Sequence, residues 1–135
     1  MEDPERRHRE FAGGNVAAAL AREELRQFMG DALVCGHLVP AALWDAALLV
    51  TSELVTNAVR HTPGPCSLDA SWSQDGIDIS VTDPSPEAPH SRPTALMEGT
   101  GGYGWPLIHR LASEVDIHST PRGGKTIHVH LPGPA

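Results

Sequence analysis

Two alternating segments, CSLDASWS at 66–73 and GIDISVTD at 76–83, stand on either side of Gln74, Asp75 and Gly76. Asp-Gly between alternating runs is a strong hairpin signal, because glycine supplies backbone conformations that other residues avoid in tight turns. Ile77, Ile79 and Val81 share one face of the second segment, so that strand has one side to bury and one side to wet. DIHST and KTIHVHL, joined through PRGG, repeat the arrangement near the end of the chain. Strands that come in hairpin pairs argue against a parallel βαβ winding.

The helical signals lie in blocks around these hairpins. NVAAALAREELRQFMGDALV predicts a first helix capped by Asn15, with Val16, Leu20, Leu25 and Phe28 near helical spacing. Pro40 suits the entry to a second helix over 41–61, which TPGP ends. WPLIHRLASEV predicts a short third helix with Leu107, Ile108 and Leu111 inward. The order helix, helix, strand, strand, loop, helix, strand, strand gives an α/β fold: a two-layer α/β sandwich with a mixed, mostly antiparallel sheet and helices on one face. Residues 1–14, mostly charged, form a flexible segment or, around His8 to Ala12, a short edge strand. Residues 15–135 form one domain, since a 135-residue chain with 40% apolar residues can bury a core without disulfides or structural metal.

PSPEAPHSRPTALMEGTG at 84–101 holds four prolines and little periodicity. It is too long for an ordinary connection, which marks a functional segment, and we assign a lid to about 84–104.

Composition removes several classes of function. A formal net charge of −7 with ten scattered Lys and Arg offers no basic patch for a phosphate backbone, so direct nucleic-acid binding is not expected. The beginning of the chain is charged and no apolar run reaches spanning length, which points away from a membrane and toward the cytoplasm. Cys35 and Cys66 lack C-x-x-C spacing and read as reduced, half-buried thiols in a reducing compartment.

Three motifs are decoys. GTGGYG at 99–104 satisfies G-x-G-x-x-G but follows a proline-rich loop, whereas the dinucleotide fingerprint requires a strand there. GGKT at 123–126 resembles the end of a P-loop, but Ser119 stands where that loop needs glycine, and the motif leads into a strand. His128 and His130 share a strand face without a recognisable third ligand, so they read as solvent-facing residues rather than a metal site.

The stretch TSELVTNAVRH at 51–61 is different. Glu53, Asn57 and His61 fall within one arc of about 80°, the arc that Ala46, Leu49 and Val50 occupy upstream. Asp45, Ser52 and Thr56 lie on another, solvated arc. A half-buried carboxylate needs a hydrogen bond, a cation or a role in activating water. From spacing alone, a satisfied polar pair capping the core is the more ordinary reading, because such i, i+4 pairs are common on helices.

Three ordered motifs extend over nearly the whole chain. SELVTNAVRH resembles the N-box, VTDPSP the first glycine box, and GGYGWPLIHRLA with GGKTIHVHL the second glycine box and final strands of the GHKL (Bergerat-fold) ATP-binding superfamily. That superfamily includes gyrase, heat-shock chaperone, histidine kinase and mismatch-repair ATPases, and the chain is most similar to its stand-alone anti-sigma-factor serine kinases. The resemblance implies ATP and Mg²⁺ as cofactors, Glu53 as general base and Asn57 as the Mg²⁺ ligand. It implies Asp83 as acceptor of the adenine amino group, Gly101, Gly102 and Gly104 as phosphate contacts, and Thr126 near the adenine. Arg60 and His61, at the end of the N-box helix, are candidate phosphate contacts, although cations that simply complement the helix C-terminus are the more ordinary account.

A sigma factor and a small anti-sigma-factor antagonist phosphorylated on serine are the implied partners, with homodimerisation a further implied possibility. A non-catalytic, nucleotide-dependent binding module is the alternative. Two departures bear on that choice: Ser85 stands where the family usually has glycine, and Tyr103 stands where many relatives have arginine.

Overall fold

A computed structural model describes residues 5–61, 64–86 and 104–133. Strands β2 (Cys66–Ser73) and β3 (Gly76–Asp83) form the expected antiparallel hairpin, with Leu68 opposite Val81 and Ala70 opposite Ile79. Gly76 closes it where no side chain fits, since an added Cβ would overlap the Leu131 carbonyl oxygen. Strand β1 (Arg6–Phe11) pairs with β2, and β5 (Lys125–Pro132) lies between β3 and β4 (Glu114–Ser119). The sheet order is β1-β2-β3-β5-β4, and every neighbouring pair is antiparallel. The sheet expected to be mixed or mostly antiparallel is therefore antiparallel throughout.

Helices α1 (Ala17–Val34), α2 (Ala41–His61) and α3 (Gly104–Leu111) complete the α/β sandwich. Alternation along the strands turns Leu68, Ala70, Ile77, Ile79, Val81, Ile127, Val129 and Leu131 toward the helices, and all are buried. Phe28, Met29, Val50, Leu54 and Ile108 fill the space from the helical side. The opposite sheet face carries Asp69, Ser71, Asp78, Ser80, Thr82, Thr126, His128 and His130. No described helix covers it.

Several local expectations are corrected. Asn15 does not cap α1: Val16 holds the cap position and no side chain makes a capping bond. Val16 and Leu20 face out at 62% and 46% exposure, while Ala17, Ala21, Glu24, Leu25 and Phe28 face in. The reason lies in β1, whose Arg7 and Arg9 each place a guanidinium nitrogen 2.8 Å from a Glu24 carboxylate oxygen, so the helix turns Glu24 toward the strand. Burial against Glu24 also orders part of the charged beginning of the chain as an edge strand. The third helix ends at Leu111 rather than reaching Val115, because the chain must return to pair Val115 with Val129.

Candidate functional site

Helix α2 lies across β3 and β5 and touches α3. Its buried side carries Leu43, Ala47, Val50, Thr51, Leu54, Val55 and Ala58. Glu53 and Asn57 stand at the margin of that side, neither buried nor exposed, as the change from apolar to polar along one arc predicts. Burial raises the Glu53 carboxyl above its ordinary value, and Arg60 two turns later draws it partly back. A carboxyl raised in this way is suited to accept a proton. The Asn57 amide has a buried Nδ2 with no hydrogen-bond partner among the described residues. A buried amide normally finds partners, so this orphan fits a group that lacks a ligand.

Asp83 closes the far side of the fold's covered face. The end of β3 places it inward, 3% exposed, in direct register with Lys125 at the start of β5. Lys125 Nζ lies 3.1 Å from Asp83 Oδ1 and 3.0 Å from Oδ2, and it also donates to the Ser85 carbonyl at 3.3 Å. The Ser85 backbone N–H donates to Asp83 Oδ1 at 2.8 Å, an Asx-type turn that shapes Asp-Pro-Ser-Pro without the glycine common in similar sequences. Cys66, at the start of β2, is buried; burial first, and the Asp83 charge second, push its thiol up.

Thr126, expected beside the adenine, lies on the other face. Its hydroxyl meets that of Thr82 at 2.8 Å, and the two are direct cross-strand partners on the uncovered side of the sheet. Strand alternation decides this: Asp83 and Lys125 share one face, so Thr82 and Thr126 share the other. Lys125 is the residue that sequence reasoning missed at the site. Its signal was present in KTIHVHL, where Lys125 alternates in phase with Ile127, Val129 and Leu131.

Gly104 opens α3, Arg60 is exposed near the end of α2, and His61 is the last residue of that helix. Gly101, Gly102 and Tyr103 lie outside the described residues, as do residues 87–100, so most of the expected lid does too. GGKT enters β5 rather than a helix. His128 and His130 are not simply solvent-facing. His130 is 9% exposed, and rings of both donate to Asp78 Oδ1, at 2.8 Å from His128 and 3.0 Å from His130. Burial pushes the Asp78 carboxyl up, and the hydrogen bonds and charges of His130 and His128 together outweigh it and hold the carboxyl below its ordinary value. Among the described residues no group of three or more His, Cys, Asp or Glu could hold a metal ion.

Comparison with known proteins places this arrangement. The family model of the histidine kinase-like ATPase domain matches residues 16–130, from the start of α1 almost to the end of β5. The chain therefore belongs to the histidine kinase-like ATPase family, and ATP binding is the property that membership brings. No curated protein matches the chain. No described helix is long and apolar enough to cross a membrane.

Proposed function

We propose that this protein is an ATP- and Mg²⁺-dependent regulatory kinase of the anti-sigma type, which transfers phosphate to a serine of a small antagonist protein. The observation that carries the reading is the Glu53–Asn57 pair on α2: a carboxyl raised by burial, one turn from a half-buried amide whose Nδ2 has no partner among the described residues. Membership of the histidine kinase-like ATPase family supports nucleotide at this face. The donor set suits the metal: Mg²⁺ takes oxygen ligands and is commonly held by one or two protein oxygens together with phosphates, so the Asn57 side-chain oxygen would hold it. Bound there, the ion supplies neutralisation of phosphate charge during transfer.

The residues of the chain have separable tasks. Glu53 accepts the proton of the attacking serine hydroxyl and orients that oxygen. Asp83 accepts the amino group of adenine. The phospho-acceptor belongs to another protein, and a sigma factor is held on a separate surface. On this reading the protein works in the cytoplasm and reaches RNA polymerase only through the sigma factor.

Radiolabelled ATP mixed with a candidate antagonist tests the reading, with phosphoserine as the product sought. Glu53→Ala should lower transfer by roughly a hundredfold or more with ATP affinity retained. ATP binding without phosphoserine at any Mg²⁺ concentration would favour the second reading, a nucleotide-dependent binding module. Ser85 and Tyr103, the two departures from the family pattern, favour that reading.

A further inference from the structure

One oxygen of the Asp83 carboxylate is committed before any nucleotide arrives. A carboxylate offers about four lone-pair positions. Lys125 Nζ donates to Oδ1 at 3.1 Å and stands 3.0 Å from Oδ2 as an ion pair, and the Ser85 N–H takes the second position on Oδ1 at 2.8 Å. Oδ1 is thereby filled, and Oδ2 is the one oxygen left to accept a hydrogen bond. The arrangement is held firmly, because the Lys125 and Asp83 side chains are only 2% and 1% exposed and Lys125 is also anchored to the Ser85 carbonyl.

We propose that Lys125 is a specificity-determining residue, which selects adenine over guanine by leaving Asp83 a single free acceptor. This rests on the reading of Asp83 as the base-recognising residue. Adenine brings one amino group to such a carboxylate, and one acceptor satisfies it. Guanine brings a ring N–H and an amino group side by side, and a carboxylate with both oxygens open accepts both. With Lys125 in place, one of guanine's two donors is buried without a partner, and a site that strands a polar group rejects its ligand strongly. Lys125 acts through Asp83 and is a positioning residue for it rather than a contact of the reacting atoms.

The test is to titrate wild-type protein, Lys125→Met and Lys125→Arg with fluorescent ATP and GTP analogues in the presence of Mg²⁺. Wild type should favour ATP about a hundredfold. Lys125→Met, which frees both carboxylate oxygens, should reduce that ratio at least tenfold, the worth of about one hydrogen bond. Lys125→Arg keeps a cation with two donors and should retain most of the ratio. Should Lys125→Met fail to fold around an unpaired buried carboxylate, Asp83→Asn with Lys125→Met removes both charges. The side-chain amide introduced at position 83 then offers one acceptor and one donor, which either base can match, and the ratio should approach one. An unchanged ratio in Lys125→Met, or in the double variant, overturns the proposal while leaving ATP binding intact. Wild-type protein that bound neither nucleotide would overturn the nucleotide reading itself, and this inference with it.

Discussion

Gly124 is seated against the main chain of Asp83: a Cβ added to it would overlap the Asp83 carbonyl oxygen and stand 2.8 Å from Pro84 Cα. The contact joins the start of β5 to the end of β3 at the point where Lys125 meets Asp83. Backbone cannot yield as a flexible side chain does, so Gly124→Ala should cost about 2 kcal/mol, by analogy with overpacked cores. Urea denaturation measures it, and nucleotide affinity should fall in parallel because Asp83 is displaced. Gly30, within α1, has open space at its Cβ position. Gly30→Ala should be stabilising by roughly 0.5–1 kcal/mol from helix propensity, which separates a local clash from a general effect of alanine.

Glu53 gives a pH signature. Its carboxyl is raised in the fold by burial, so the folded state binds that proton more tightly than the unfolded chain does. The stabilising contribution is present at acidic pH and is lost as pH rises through the raised value, leaving an ionised, half-buried carboxylate. Glu53→Gln should therefore be more stable than wild type at neutral pH, by under about 1 kcal/mol because solvent still reaches the group. The two stability curves should converge below the ordinary glutamate range. Thermal melts across pH 3 to 8, roughly the interval that brackets ordinary carboxylate titration, check the sign.

The clamp on Glu24 should be visible in stability. Arg7 and Arg9 share its carboxylate, and the hydrogen bond to Glu24 is the leading reason that the Arg7 guanidinium is held in its charged form. Glu24→Ala removes the carboxylate that Arg7 and Arg9 share and leaves Arg7 with only the exposed Asp31 and the Phe28 ring, 5.8 Å away. A loss of about 2–3 kcal/mol is expected, just below the usual range for broken buried ion pairs, since Arg9 is half exposed. Replacing Asp31, which meets only the other nitrogen of Arg7 and is exposed, should cost about 0.5 kcal/mol.

The two cysteines should react on different timescales. Cys35 is exposed beyond the end of α1, whereas Cys66 is buried in the sheet with its thiol pushed up by burial and by the Asp83 charge. Only the thiolate is nucleophilic, so a maleimide or disulfide reagent should label Cys35 promptly and Cys66 only after unfolding. Simultaneous labelling of both in native protein would contradict the placement of Cys66. The pair is thus one exposed and one buried free thiol, not two half-buried thiols.

The readable parts of this fold were those where a single period decides the answer. Ile77, Ile79 and Val81 alternate with polar residues, so the β2–β3 hairpin and its buried face followed from local pattern. The Glu53–Asn57 stripe followed from helical spacing in the same way. Val16 and Leu20 went wrong because the rotation of α1 is set by Arg7 and Arg9, partners on another element that no local period contains. Asn15 failed as a cap for a related reason: helix entry depends on the path of the preceding chain as much as on side-chain chemistry. Thr126 was placed by motif when register was the better guide, since counting from Asp83 across to β5 puts Lys125 at the site.

The β1 strand carries a consequence for the order in which the molecule assembles. Its ladder joins residues far apart in the chain, Phe11 to Cys66 and Arg6 to Ser71, while β2 meets β3 across a tight turn. Closing so long a loop is entropically costly before any contact repays it. β1 should therefore lock after the hairpin and after α1 has presented Glu24, and native-state hydrogen exchange should find its amides opening before those of the β2–β3 hairpin.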